Sequence, residues 1–168
     1  MKKRMIHSCM MVMTAIVILA GCSKDSGLPK NTLATPEDTV KAYCELDANG
    51  ARLTSTTWMK VLPYIGWSEE AGFDRAIVIS GFAVSKAQKL SDREAAVTVE
   101  YQVVGTVAGD YTAARKTESI RFKVAKTDRG WKIMEPDFMP PHVLARTIVK
   151  HLEATKKSEV AEKVKGDK

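Results

Sequence analysis

The sequence has no Gly-x-Ser-x-Gly nucleophile turn and no glycine-rich loop of the kind that cradles a phosphate, so hydrolase and nucleotide-dependent chemistry find no support in it. Histidine is scarce. Of the three, His142 and His151 stand nine residues apart, not the three or four that would align two ligands on one helical face, and neither a metal nor another cofactor is expected. There are no internal repeats. A basic stripe interleaved with aromatics, the usual footprint of nucleic-acid binding, is also missing. Long apolar runs are confined to the N-terminus. After Cys22 nothing approaches the roughly 20 apolar residues that a membrane-spanning helix requires.

What is present begins with Lys2, Lys3 and Arg4, followed by an apolar segment from Met10 to Ala20 that only Thr14 interrupts. Its eleven residues fit the hydrophobic core of a secretory signal, about 7–15 residues, better than a transmembrane anchor. The segment ends in Leu19-Ala20-Gly21-Cys22, which resembles the lipobox of bacterial lipoproteins. That resemblance implies cleavage before Cys22, lipidation of Cys22, and attachment of the mature chain to a membrane of the cell envelope, facing the periplasm. Ser23 in place of an Asp, by resemblance to enteric-type lipoproteins, favours the outer membrane. Several acyl chains at about 0.8 kcal/mol per buried methylene anchor firmly, where one alone is marginal.

Loss of residues 1–21 takes three of the 26 Lys and Arg and none of the 20 Asp and Glu, leaving 23 against 20. The mature chain is therefore only mildly basic, and no nucleic-acid partner is expected. By the same reading Cys9 leaves with the signal and Cys22 is acylated. Cys44 then stands alone, without an intramolecular disulfide.

Residues 22–34 are rich in Ser, Gly, Pro, Lys and Asn and read as a flexible tether. Residues 35–154 suffice for one core and are too few for two ordinary domains. Residues 155–168 form a polar tail, expected as a frayed helix or disordered.

Within the domain, Thr35-Pro36-Glu37-Asp38 predicts a helix start, with a Thr cap, Pro at the first turn and acids near the positive end of the dipole. The helix should end at Asn49-Gly50 and bury Val40, Tyr43 and Cys44, with Cys44 a packing residue. Residues 51–74 carry mixed signals, with a short helical stretch broken by Pro63 and Gly66.

Strands are expected from Ala76 through Val84 toward Leu90, with a bulge at Gly81 and a turn at Ser91-Asp92-Arg93, from Val97 to Val103 by strict alternation, and from Ile120 to Val124. A hairpin at Thr127–Gly130 leads to a short strand with Trp131 and Ile133 alternating with Lys132 and Met134. His142 to Leu152 reads as an amphipathic C-terminal helix. The fold class is α+β: an N-terminal helix and an irregular helical segment packed on a curved antiparallel sheet of about four strands, plus a C-terminal helix.

The opening helix, Thr35 through Gly50, and the closing strand Asp128-Arg129-Gly130-Trp131-Lys132-Ile133 resemble the nuclear transport factor 2-like fold, or more broadly the cystatin-like α+β class. That resemblance implies a cone-shaped interior. Enzymes of the superfamily, ketosteroid isomerase among them, place a carboxylate and a hydrogen-bond donor in the cone. Here Tyr101 lies on an inward strand face, and Asp74 or Asp137 near the cone mouth are the carboxylates an isomerase or dehydratase would need.

No catalytic residue is assigned. Trp58, Tyr64, Trp67 and Phe73 cluster in the irregular segment; with Tyr101, the first three are candidates for lining a pocket for an apolar ligand. Arg121, Lys123 and Lys126 form a cationic strand face. The expectation favoured is a noncatalytic envelope module that binds a membrane through its lipid and another envelope protein through its surface. An apolar-ligand carrier and an isomerase-like enzyme are the alternatives.

Overall fold

The structure is a computed structural model that describes residues 29–68, 74–137 and 139–167. Cys22, the signal segment and Phe73 lie outside the described residues.

Helix α1 (Pro36–Ala48) begins as its residues dictate: the Thr35 hydroxyl accepts from the Asp38 amide at 3.1 Å, and Glu37 and Asp38 occupy the first turn. Asn49 caps its end, and Gly50 turns the chain at φ +81°, a conformation that glycine adopts without a Cβ penalty. The irregular segment resolves into a one-turn helix α2 (Ser55–Trp58) and a 3₁₀ turn (Leu62–Tyr64) built around Pro63.

Six strands form one curved sheet: β1 (Ala76–Val84), β2 (Gln88–Lys89), β3 (Glu94–Ala108), β4 (Asp110–Thr127), β5 (Gly130–Glu135) and β6 (His142–Leu144). The order is β5-β4-β3-β1-β6, with β2 paired to β3; all pairings are antiparallel except β6 along β1. The register of β1 against β3 shifts on either side of Ile79, so the bulge falls where Gly81 suggested it. The α+β class thus stands.

Five local expectations change. Two strands beyond the expected four appear, β2 and β6, and β1 stops at Val84 short of Leu90, since the strand breaks there and Gln88–Lys89 pairs with β3 as a strand of its own. β4 starts at Asp110 and not near Ile120, because its first half pairs with the end of β3 as a projecting arm in which Thr112 through Thr117 are exposed. A strand exposed on both faces shows no apolar alternation to detect. His142 lies in β6 and not in a helix, since Pro140 and Pro141 deliver extended chain beside Ile77–Ile79 and the helix begins only at Ala145. Lys132, expected on the outer face of its strand, is buried, and its ammonium donates to the carbonyls of Pro29, Leu62 and Pro63 at 2.8, 3.0 and 2.6 Å.

The sheet separates two cores. On its concave side α1 and the 3₁₀ turn pack against Ile79, Val97, Val99, Tyr101, Phe122, Val124 and Ile133. On the other, α3 (Ala145–Ala154) and α4 (Ser158–Gly166) form a hairpin whose Ile148, Val149, Leu152, Ala161 and Val164 cover Ala76, Val78 and Val143. The polar tail is therefore neither frayed nor disordered over this stretch. Its two sizeable apolar residues and Ala161 fall on one helical face, which docks on α3 while Lys163 pairs with Asp110 at 2.8 Å. The expected tether also docks earlier than composition implied: Asn31 is buried against Gly130, and its amide donates to the Arg129 carbonyl at 2.7 Å.

Candidate functional site

Helix periodicity brings Tyr43, Cys44 and Asp47 of α1 onto the buried stripe. β3 supplies Tyr101, β6 supplies His142, and the turn after α1 supplies Arg52; these meet in the concave core. The Cys44 thiol lies 3.1 Å from the Tyr101 hydroxyl. The Tyr101 ring stacks on the His142 imidazole, with centroids 4.2 Å apart. The His142 backbone amide donates to Asp47 Oδ2 at 2.9 Å, and His142 Nε2 stands 3.8 Å from Glu118 Oε1. Arg52 clamps the group: Nη1 donates to the Tyr43 hydroxyl at 2.9 Å and lies 3.6 Å from Asp47 Oδ2, while Nη2 donates to the Met139 carbonyl at 2.6 Å.

Burial governs the chemistry of this cluster. It pushes the Cys44 thiol up to about 12, so Cys44 stays protonated and acts as a core residue. It raises Asp47 to about 6 against the opposing pull of Arg52 and the His142 amide. It lowers His142 to about 4, with Glu118 acting the other way. The Tyr43 and Tyr101 phenols are both pushed above their ordinary range by the same desolvation. Asp47 Oδ1 accepts no hydrogen bond among the described residues.

As for the candidates, Trp58 is buried in the concave core, with Tyr64 and Trp67 half-buried against it, and Tyr101 is 1 % exposed. Tyr101 meets a thiol and an imidazole; its hydroxyl is hydrogen-bonded to Cys44 and not to Asp74 or Asp137. Asp74 instead lines an open cleft of about 600 Å³ beside α3, together with Arg52, Arg75, His151, Ile148 and Leu152. Of the cationic strand face, Arg121 donates to Gln88 Oε1 at 3.0 Å, Lys123 pairs with Glu94 at 3.3 Å, and Lys126 sits 5.9 Å from the Trp131 ring centroid.

Sequence reasoning passed over Asp47 and Arg52, and weighed His142 only as a metal ligand. One signal was available: Asp47 follows Val40, Tyr43 and Cys44 by seven, four and three positions, which puts a carboxylate on the apolar stripe and calls for a buried partner. Nothing comparable marks Arg52, whose role depends on where the turn after α1 points.

Among the described residues, no group of three or more His, Cys, Asp or Glu is placed to hold a metal ion, and no helix is long and apolar enough to cross a membrane. No protein-family model, curated protein or solved structure matches the chain.

Proposed function

We propose that the protein is a lipid-anchored module of the bacterial cell envelope, held through Cys22 on the periplasmic side of the outer membrane, whose domain is a noncatalytic interaction unit of nuclear transport factor 2-like architecture. The observation that carries the noncatalytic reading is the filled interior. Tyr101, the group an enzyme of this architecture would present to substrate, is 1 % exposed, stacked on His142 and hydrogen-bonded to Cys44. The architectural reading draws support from α1 lying in the concavity of an antiparallel sheet whose long central strands face inward with Val97, Val99 and Tyr101. The lipid anchor rests on the lipobox residues.

The test is crosslinking in intact cells of the native host, followed by purification of the lipidated protein from solubilised membranes. One envelope protein should be recovered reproducibly, and its recovery should drop when the outward face of α3 is reversed in charge with Lys150→Glu. Repeated preparations without a common partner would sink the reading.

The runner-up, a ligand carrier, moves from the aromatic set around Trp58 to the 600 Å³ cleft beside α3. Native mass spectrometry of protein purified from its host distinguishes it: a bound small molecule displaced by Ile148→Trp favours the carrier.

A further inference from the structure

We infer that the face formed by β5 and the 3₁₀ turn, carrying Met59 and Met134, is the surface the domain turns toward the lipid bilayer; this rests on the lipid-anchor reading above. Three observations converge on it.

The chain is clamped very close to the anchor. Asn31 Nδ2 donates to the Thr39 hydroxyl at 2.9 Å and to the Trp131 carbonyl at 2.7 Å. The Asn31 amide donates to Arg129, and the buried ammonium of Lys132 holds the Pro29 carbonyl. Only residues 23–28 separate Cys22 from this clamp, so at about 3.3–3.6 Å per residue the lipidated residue lies within roughly 25 Å of Pro29 whatever path the chain takes. A domain of this size has a radius of gyration of roughly 14 Å, and its half-circumference is on the order of 55–60 Å. The tether is too short to reach around it. The bilayer must therefore lie on the side where Pro29 meets β5.

Two of the three large exposed apolar residues lie on the same side. Among the described residues the large exposed hydrophobic side chains are Met59, Leu90 and Met134. Met134 is on β5, two residues from Lys132, and its thioether lies across Gly66. Met59 closes α2, three residues before Leu62, whose carbonyl accepts from the same Lys132 ammonium that holds Pro29. Their exposures of 62 % and 40 % leave apolar surface that nothing among the described residues covers, and flexible thioethers suit a disordered lipid interface. Leu90, the third, lies in the turn before β3, where its amide donates to the Glu94 carbonyl.

Charge agrees. Lys30 at the clamp and Lys60 beside Met59 are exposed, with Glu135 as the acid on the neighbouring stretch of β5, so cations flank the methionines. Anionic headgroups attract such side chains within a Debye length of the surface. The opposite end of β4, where Gly109 turns the chain and Asp110 holds α4 through Lys163, is left facing away from the membrane and open to a partner.

The experiment uses the full lipidated protein, whose intact mass is measured first and then reconstituted in vesicles of phosphatidylcholine and phosphatidylglycerol. Cys44 is buried, so single exposed thiols from Met59→Cys, Met134→Cys and, at the distal arm, Ala113→Cys can each take a fluorophore. Lipids bearing a headgroup quencher should quench the first two several-fold more than the third, and Lys30→Glu with Lys60→Glu should reduce the difference. Equal quenching at all three sites, or stronger quenching at Ala113→Cys, overturns the orientation. An intact mass without acyl chains overturns the anchor itself, so the two failures are told apart before any fluorescence is read.

Discussion

Replacing Arg52 with Met should destabilise the protein by an amount that depends on pH in a direction set by Asp47. In the native structure Asp47 is fully buried and keeps two favourable partners, Arg52 at 3.6 Å and the His142 amide at 2.9 Å. Even so, burial raises its carboxyl from 3.8 to about 6. The folded state therefore binds more protons than the unfolded chain between about pH 4 and pH 6, and stability falls as pH rises through that window and levels off above it. At 1.36 kcal/mol per pKa unit the full effect in the native protein is about 3 kcal/mol.

Removing the guanidinium takes away a group that pulls Asp47 down, so the window extends upward and each further unit costs about 1.4 kcal/mol more. Arg52→Met should thus cost about 3–5 kcal/mol at neutral to alkaline pH, the range for an orphaned buried ion. Near pH 5 Asp47 is largely protonated in both proteins, and the cost should shrink to the hydrogen bonds lost to Tyr43 and Met139, about 1–2 kcal/mol. Arg52 also pushes His142 down. Its removal lets His142 rise toward 6.5, which favours the variant at acid pH only and so adds to the Asp47 effect in the same direction.

Urea unfolding of both proteins near pH 5 and near pH 8 measures the difference. Combining Asp47→Asn with Arg52→Met should recover part of the loss at pH 8. An equal loss at the two pH values, or a double variant no more stable than Arg52→Met, refutes the electrostatic account.

Asn31→Ala removes side-chain bonds to Thr39 and Trp131 and should lower stability by about 1–3 kcal/mol in urea unfolding. It should also expose the chain near Pro29 to proteolysis. Val164→Asp places a charge where the native side chain is 2 % exposed, so α4 should detach; amide exchange should then accelerate in α4 while β3 and β4 stay protected. Tyr101→Phe deletes only the hydroxyl paired with the Cys44 thiol and should cost about 1 kcal/mol or less by thermal or urea unfolding, with Cys44 still unreactive to thiol reagents.

Elements whose apolar residues keep a strict period were legible from the chain alone. Val97, Val99, Tyr101 and Val103 announced β3, and Thr35-Pro36 announced α1, because capping and alternation are local properties. The arm of β4 from Thr112 to Thr117 was not legible, since its pairing with β3 is satisfied by backbone hydrogen bonds and asks little of side chains that face water on both sides. Lys132 misled for the converse reason. Its residue type and alternating position said solvent, while three carbonyls from distant segments gave its ammonium a buried seat.

What the sequence determined by itself is local: the signal-like segment and Cys22 motif, the start and stop of α1, the inward faces of the central strands, and from these the α+β class. Each depends on neighbours within a few residues. The tertiary structure decided what depends on groups far apart along the chain. It placed Asp47, Arg52 and His142 in one buried cluster, filled the interior with Tyr101, docked α4, and fastened Asn31 beside Gly130. Such contacts follow from where the curved sheet carries each residue, and no local pattern encodes that curvature.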